Sequence, residues 1–571
     1  MYQTSGYISD DLIINKWSDI KPFFENLLNE KIENVADLES VILHLSEVLS
    51  VLHEQHARAY INMTCHTNNE DHLKRFEMFT TEISPAADKL SHEIEKKVYK
   101  SSFFSELPQE RYQQLKKQYK RDIEIFREEN VDLEAKVSTL SSQFSQCVGR
   151  LMVTLNGEQM TLPQAAVFLE SPDRAVREET YLAFIKTRQT ARDELNEILN
   201  NMIALRHKIA RNAGYLNYRD YKHDDLHRFD YTVEDVVTFH ESIKEHVIPL
   251  QRKIEEKQIE RLGLEKDDFR PWDLKGKTLN DTALRPFTSG RELLDKTIEI
   301  FARIKPAFSA NLKKMDEANL FDLESRPNKA PGGYNYGLEV TGMPFIFMNA
   351  AGVHTDVVTI MHEGGHAMHT FLTNDESLIQ YRNSPAEVAE VASMAMELIS
   401  SCHWDVFYNE KDKLKAQREH LEDIISVFSW VAVIDSFQHW LYTHAKHSIE
   451  ERDECFDKLM MEFGSGLINW EGSEAYRRMF WQKQLHIFEV PFYYIEYAIA
   501  QLGALQIYKN YSENPEETLN AYIKGLSLGN SCAVPCVWEA MNIKFDFSAK
   551  NLKNLMTFLE KEWLRICDML L

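Results

Sequence analysis

The segment Thr355–Thr373 reads TDVVTIMHEGGHAMHTFLT, and His362-Glu363-Gly364-Gly365-His366 at its centre constrains this chain more than any other stretch. On a helix, residues four apart lie one turn above each other, so His362 and His366 can grip a single metal ion. Glu363 falls about 100° round the same cylinder, near the ion's open side, where a carboxylate can take a proton from water. The pattern H-E-x-x-H therefore asks for a helix here, and for a fold that brings it at least one more ligand. The glycine doublet costs roughly 1 kcal/mol per residue relative to alanine in a helix interior. Such a doublet is expected where something passes close to the backbone, a strand or a substrate. His369 lies two turns beyond His362 and within about 20° of it, where it could ligate, line the site or be hydrogen-bonded core.

The next acidic cluster is Ser384-Pro385-Ala386-Glu387-Val388-Ala389-Glu390, continuing to Glu397. Its start has the form of a capping box, with Ser384 at the N-cap, Pro385 in the first helical position and Glu387 in the third. That gives Glu387 a structural task. Glu390 lies a turn further in, and Glu397 falls within about 20° of it on the same face. Glu390 is the expected third ligand and Glu387 the runner-up, with Glu397 or Ser393 available to hold a histidine's second nitrogen. Ala386, Ala389, Ala392 and Ala395 would keep this helix slim enough to pack close to the first.

The one clear β region is Ala330–Asn349, where glycines bound Gly337–Val340 and Pro344–Met348. These suit a small hairpin or two edge strands, with Pro344 favouring an edge position. An exposed edge just before the helix could accept an extended peptide as a further strand. Later in the chain His486 precedes Pro491, and Phe492-Tyr493-Tyr494-Ile495-Glu496-Tyr497 reads as the start of a helix. Tyr494 and Tyr497 are i, i+3 neighbours. Aromatic-rich helix starts are commonly core, but phenol and imidazole can also donate to a developing oxyanion.

Elsewhere the pattern is helix after helix. Residues 1–190 include the amphipathic stretches Asp37–Val51 and Gln109–Phe144, the second suited to a long antiparallel hairpin. Leu155-Asn156-Gly157-Glu158 marks a turn between short extended pieces, Ser171-Pro172-Asp173 opens a helix, and Arg211–Tyr215 is a connection. Asp268–Thr288 reads as an irregular loop crossing between lobes. The expected division is an N-terminal helical lobe, 1–190, followed by a catalytic region, 191–571. With 65 basic against 89 acidic residues, a net of −24, the surface repels phosphate backbones and anionic membranes, so neither nucleic acid nor a membrane is an expected partner. The most apolar run, Val427–Ile434, is too short to span a bilayer. The opening MYQTSGYISDDLIINKW lacks the form of a secretory signal, and seven scattered cysteines suit reduced thiols, so a cytoplasmic enzyme is expected.

With these residues assembled, the chain resembles the thimet-oligopeptidase family, and within it the oligoendopeptidase F branch. The resemblance is carried by Phe321-Asp322-Leu323 through Arg326, Lys329–Tyr334, Pro344-Phe345-Ile346 with Met348-Asn349, and His362–Ala367 with His369. It continues through Glu390-Val391-Ala392-Ser393 and His486 to Pro491–Tyr494 with Tyr497. It implies a mainly α, two-lobed helical body with a deep channel and a small β-sheet beside the zinc helix. It also implies one Zn2+ per chain on His362, His366 and Glu390, with Glu363 as general base and acid. By the same resemblance His486 and Tyr497 are transition-state donors and Tyr494 lines the substrate path. Gly332, Gly333, Tyr334 and Phe345, in the matched segments, are expected to bind substrate.

The implied reaction is hydrolysis of internal bonds in short unstructured peptides. One competing reading is an exopeptidase that removes C-terminal dipeptides, which needs a cationic group at one end of the channel. Another is a helical peptide-binding scaffold without turnover, against which the intact Glu363 argues. The loop Ile487–Phe492 is one residue shorter than the glycine-rich loop of mammalian members, which leaves Tyr493 without an assigned role. The sequence does not decide between monomer and homo-oligomer.

Overall fold

Helices dominate the chain and are joined by two small sheets, in a computed structural model that describes residues 5–279, 281 and 283–570. The chain divides into two compact units, each assembled from three separated segments. The first comprises Met1–Ile123, Leu284–Ala416 and Ile499–Phe545; the second comprises Glu124–Ala283, Gln417–Ala498 and Asp546–Leu571. A cut at residue 190 follows chain order, whereas these units are interleaved.

In the first unit the long helix α1 (Val35–Cys65) starts where the Asn34 side chain accepts the Asp37 N–H, satisfying one orphan donor of the first turn. Leu38, Val41, Ile42, Leu45, Val48 and Leu52 recur at helical spacing and enter one hydrophobic cluster, which also takes in Leu378, Ile379 and Tyr381. Polar side chains on the same helix tie down distant backbone. Ser46 Oγ donates to Ser377 O (2.8 Å) and accepts from the Ile379 N–H (2.7 Å). The Glu54 carboxylate accepts the Val340 and Thr341 N–H groups, each at 2.7 Å.

The sheet of this unit has the order β3-β5-β4, with β3 (Phe321–Glu324) parallel and β4 (Tyr334–Leu338) antiparallel to β5 (Met343–Ala350). The strand carrying Pro344 is thus central, not an edge as its proline suggested. Pairing with β3 begins only at Ile346, so on that side no carbonyl waits for the N–H that Pro344 lacks. β3 and β4 are the edge strands, and β4 is the one beside the motif helix.

In the second unit the expected turn joins a two-stranded hairpin, β1 (Met152–Leu155) and β2 (Glu158–Thr161), with Asn156 and Gly157 at φ 53° and 81°. The Gln109–Phe144 stretch forms two helices, Gln109–Ile125 and Glu128–Gly149, and the second packs against Arg192–Asn212. Asp173 caps the helix that begins at Arg174. Of the irregular stretch Asp268–Thr288, residues 280 and 282 lie outside the described residues. Glu410–Thr443 is long and apolar enough, by length and composition, to cross a bilayer, although Val427–Ile434 alone is not. Most of its apolar window is buried within the protein. No cysteine among the described residues is in a disulfide.

Candidate active site

Three helices of the first unit shape the H-E-x-x-H segment: α2 (Gly290–Ile304), α3 (His354–Thr373), which carries the motif, and α4 (Ala386–Ser401). The glycine doublet of α3 faces its helical neighbours, not a strand. A Cβ on Gly365 would sit 2.6 Å from both Ala392 O and Ser393 Cα of α4, and one on Gly364 would sit 2.5 Å from the ring of Phe301 on α2. Gly365 thus lets two helix backbones approach more closely than any side chain permits.

That approach delivers Glu390. Its Oε2 lies 3.4 Å from His362 Nε2 and 3.6 Å from His366 Nε2. The three potential ligand atoms all fall within 4.8 Å of one another. Two imidazole nitrogens and one carboxylate oxygen make the donor set of a catalytic zinc site, with three protein ligands and room for a fourth. The residues present therefore fit such an ion.

A second layer orients the first. Glu397 Oε1 lies 2.6 Å from His362 Nδ1, which directs that proton outward and turns Nε2 towards the cluster. Ser393 Oγ donates to Glu390 Oε2 (3.1 Å) and so holds the carboxylate, not a histidine. Asn335 of β4 donates to the Glu363 carbonyl (3.1 Å), tying the edge strand to the motif helix. Burial pushes the Glu363 carboxyl up to about 7, although His362 pulls it down. Burial alone would lower His362, but Glu390 and Glu397 raise it well above its ordinary value. His366 is lowered to about 4, chiefly by burial. Burial works against the Glu390 carboxylate, yet the two imidazoles hold it at about 2.

The expected capping box does not form. Helix α4 begins at Ala386 with Pro385 at its N-cap and no side-chain cap. The Ser384 hydroxyl instead meets His369 Nε2 at 3.1 Å, so a tertiary hydrogen bond has taken the group that local pattern assigned to the helix end. His369 is buried, lowered to about 3 by burial, and stands outside the His362–His366–Glu390 cluster. Glu387 is buried too; its carbonyl accepts the Trp538 indole N–H at 3.1 Å.

A cavity of about 480 Å³ runs beside His366, lined along one wall by Asn335–Glu339 of the edge strand and its exit, and along another by His369, Thr370 and Thr373 of α3. Of the four residues expected to bind substrate, Tyr334 stacks on Phe347 (centroids 4.7 Å apart) and shares a 2.6 Å hydrogen bond with Thr64. The Phe345 side chain is buried. Gly332 is held through its carbonyl by the Asn349 amide (2.9 Å), and Gly333 lies near Thr359 of α3. The Tyr334 and Phe345 side chains are thus committed to packing.

His486, Tyr493, Tyr494 and Tyr497 gather in the second unit. The imidazole lies 4.6 Å from the Tyr494 ring and 5.9 Å, edge-on, from that of Tyr497. The helix expected to begin at Phe492 begins instead at Ile495. Phe492 takes the left-handed conformation, φ 67°, which a bulky residue adopts only when its surroundings over-determine it. Its N–H donates to Gln438 Oε1 (2.8 Å), and Arg228 donates to its carbonyl (2.6 Å) and to Glu496 (2.7 Å). Gln484 was not singled out by sequence. Its amide reaches His486 Nδ1 at 2.6 Å, and a pair two residues apart leaves no periodic signal.

Comparison with known proteins follows this geometry. Oligopeptidase PepF of Bacillus subtilis (strain 168) is 23% identical over 382 residues, covering 66% of this chain and 55% of that protein. An Oligoendopeptidase F homolog of Mycoplasma pneumoniae (strain ATCC 29342 / M129 / Subtype 1) is 24% identical over 384 residues, covering 64% of this chain and 61% of that protein. The matches thus span less than two thirds of these relatives' length. The solved structure of PZ peptidase A with inhibitor 2 superposes with a TM-score of 0.89 at 24% identity, covering 98% of this chain and 99% of that one, and so shares the fold. Residues 14–126 match the Peptidase M3 N-terminal domain. Residues 167–557, which hold the His362–His366–Glu390 cluster and the His486 group, match the description Peptidase family M3, and the chain belongs to that family.

Proposed function

We propose that this chain is a zinc-dependent oligoendopeptidase that hydrolyses internal bonds of short, unstructured peptides. The observation that carries the reading is the convergence of His362, His366 and Glu390, with the buried Glu363 next in sequence to the first of them. The names of the relatives, an oligopeptidase and an oligoendopeptidase F homolog, support it.

His362, His366 and Glu390 would hold the zinc. When bound, that ion supplies Lewis acidity, polarising a carbonyl and acidifying water. Glu363 takes a proton from the attacking water and returns it to the leaving amine, and a carboxyl raised towards neutrality is suited to both transfers. Glu397 keeps His362 in the tautomer that offers Nε2 to the ion. By family resemblance His486 and Tyr497 donate to the developing oxyanion, and Tyr494 lines the path. The outer edge of β4 grips substrate through backbone hydrogen bonds, which favours loose sequence preference, and the family resemblance together with the span of a strand favours peptides of about 5–20 residues.

The test is mass spectrometry of a mixed peptide pool incubated with the enzyme, with and without chelator, beside Glu363→Gln. Internal cleavage should vanish with chelator. The variant should keep its metal and lose turnover by about 10²–10⁴. Release of C-terminal dipeptides alone would establish an exopeptidase instead, and cleavage indifferent to chelator would refute the metal chemistry.

A further inference from the structure

The indole N–H of a tryptophan can only donate. Trp430 Nε1 lies 2.9 Å from Gln484 Oε1, and the Tyr494 phenol hydrogen-bonds to both side chains, so the indole favours the amide oxygen on its side. The amide nitrogen then points the other way, where it lies 2.6 Å from His486 Nδ1. An amide nitrogen is likewise only a donor, so Nδ1 accepts, and the proton of a neutral imidazole must sit on Nε2. Orientation thus passes from the indole, which can only donate, through Gln484 to His486, with the Tyr494 phenol bridging the first two.

We infer that Gln484, oriented by Trp430, is a positioning residue that keeps the proton of His486 on Nε2, so that this nitrogen meets the substrate as a hydrogen-bond donor. The inference rests on the reading that His486 serves peptide hydrolysis. Other groups around the ring agree with it. Burial lowers His486 to about 4, so near neutral pH the ring carries one proton and its placement matters. The groups facing the ring are the Gln484 amide and the phenols of Tyr493, Tyr494 and Tyr497, whose centroids lie 6.4, 4.6 and 5.9 Å away. None carries charge near neutrality. Lys483, next along the chain, stacks instead on Trp430 and Phe480, at 4.3 and 3.9 Å from the ring centroids.

The consequence is a division of labour. An imidazole fixed in this form cannot exchange protons with substrate over the working range; it can only offer Nε2–H to a negative oxygen. His486 would then be a neutral donor, like an oxyanion-hole amide, and all proton transfer would fall to Glu363.

Gln484→Glu tests this without changing shape. One carboxylate oxygen can still accept from Trp430, but the other now needs a proton on Nδ1. At low pH the ring satisfies it as imidazolium and keeps Nε2–H. As pH rises through the ring's raised pKa, the remaining proton stays on Nδ1 and Nε2 loses its own. The full-length, metal-loaded variant should therefore show kcat falling about 10-fold or more relative to the parent as pH rises across the neutral range, with KM little changed. Tautomer is read independently by 15N resonances of selectively labelled histidine, assigned with His486→Gln: the parent should show Nε2–H, and Gln484→Glu should show Nδ1–H at high pH. Gln484→Met, which keeps bulk and removes both hydrogen bonds, should lower kcat at all pH values without adding an ionisation. An Nδ1–H signal in the parent, or an unaltered tautomer in Gln484→Glu, overturns the inference. If the resonances behave as expected but His486→Gln leaves kcat intact, the tautomer assignment stands and the role of His486 in hydrolysis falls.

Discussion

Gly365→Ala isolates the contact that brings the third ligand to the histidines. The added methyl would meet Ala392 O and Ser393 Cα at 2.6 Å and Met396 Cβ at 3.0 Å. Carbon atoms pack at about 3.5–4.0 Å, so the two helices must part by about 1 Å. None of the three atoms is the tip of a flexible side chain, and none can swing aside. Alanine gains roughly 1 kcal/mol of helix propensity over glycine, while overpacking costs about 1–3 kcal/mol. The net effect on stability is a loss of about 0–2 kcal/mol. The effect on metal should be larger in proportion. Glu390 rides on α4 and the histidines ride on α3, so parting the helices withdraws one ligand from the other two. A weakening of about 10–100-fold, the range for disturbing groups that position ligands, is expected. Competition against a graded series of chelators gives the affinity, and thermal unfolding of the metal-free protein gives the stability. A variant about 1 kcal/mol more stable than the parent, with unchanged metal affinity, would show that the approach of α4 is not what Gly365 serves.

Glu390→Ala should lose its metal in mild chelator while Glu387→Ala keeps it, and metal analysis of both purified proteins decides between the two carboxylates. Tyr497→Phe should lower kcat by roughly 10²–10³ with little change in KM if the phenol donates to the oxyanion; an intact kcat returns it to a packing role. Asp435 lies 2.9 Å from His240 and 3.2 Å from His439. Burial raises its carboxyl, but the imidazoles of His439 and His240 outweigh this and hold it well below its ordinary value. Burial in turn lowers His439. Both groups bind fewer protons folded than unfolded, so stability present above about pH 6.5 should fall as pH drops through the histidine and then the carboxylate range. Melting temperatures should follow that slope, and Asp435→Asn should flatten its acid end; a parent that gains stability on acidification contradicts the assignment.

What was legible in the sequence was whatever depends on local period. The i, i+4 histidines, the glutamate between them and Glu390 one turn into the next helix lie where helical spacing puts them. Helical dominance and the Asn156-Gly157 turn were legible for the same reason. What was hidden depends on a partner distant in the chain. The capping pattern at Ser384 is sound as a local rule, but His369 competes for the hydroxyl. Pro344 marks an edge only if no neighbouring strand can start beyond it, and β3 does. The glycine doublet signalled a close approach, yet nothing in it names α4 and Phe301 as what approaches. Phe492 carries no mark of a left-handed backbone, since it is held there by residues distant in the chain, Arg228 and Gln438 among them.

Helix α1 has a consequence for how the chain comes into being. Ser46 grips Ser377 across 331 residues of sequence, and Glu54 grips Val340 across 286. Ribosomes add about 5–20 residues per second, so α1 is made roughly 15–70 s before the segments it braces. Through that interval the apolar row from Leu38 to Leu52 must be covered by the N-terminal helices alone or by a chaperone. The first unit cannot close until the middle of the chain has been translated, and its last segment, Ile499–Phe545, arrives later still. Synthesis, not chemistry, thus sets the moment at which this site first exists, and a nascent chain stalled before Glu390 carries both histidines without the carboxylate that would complete their set.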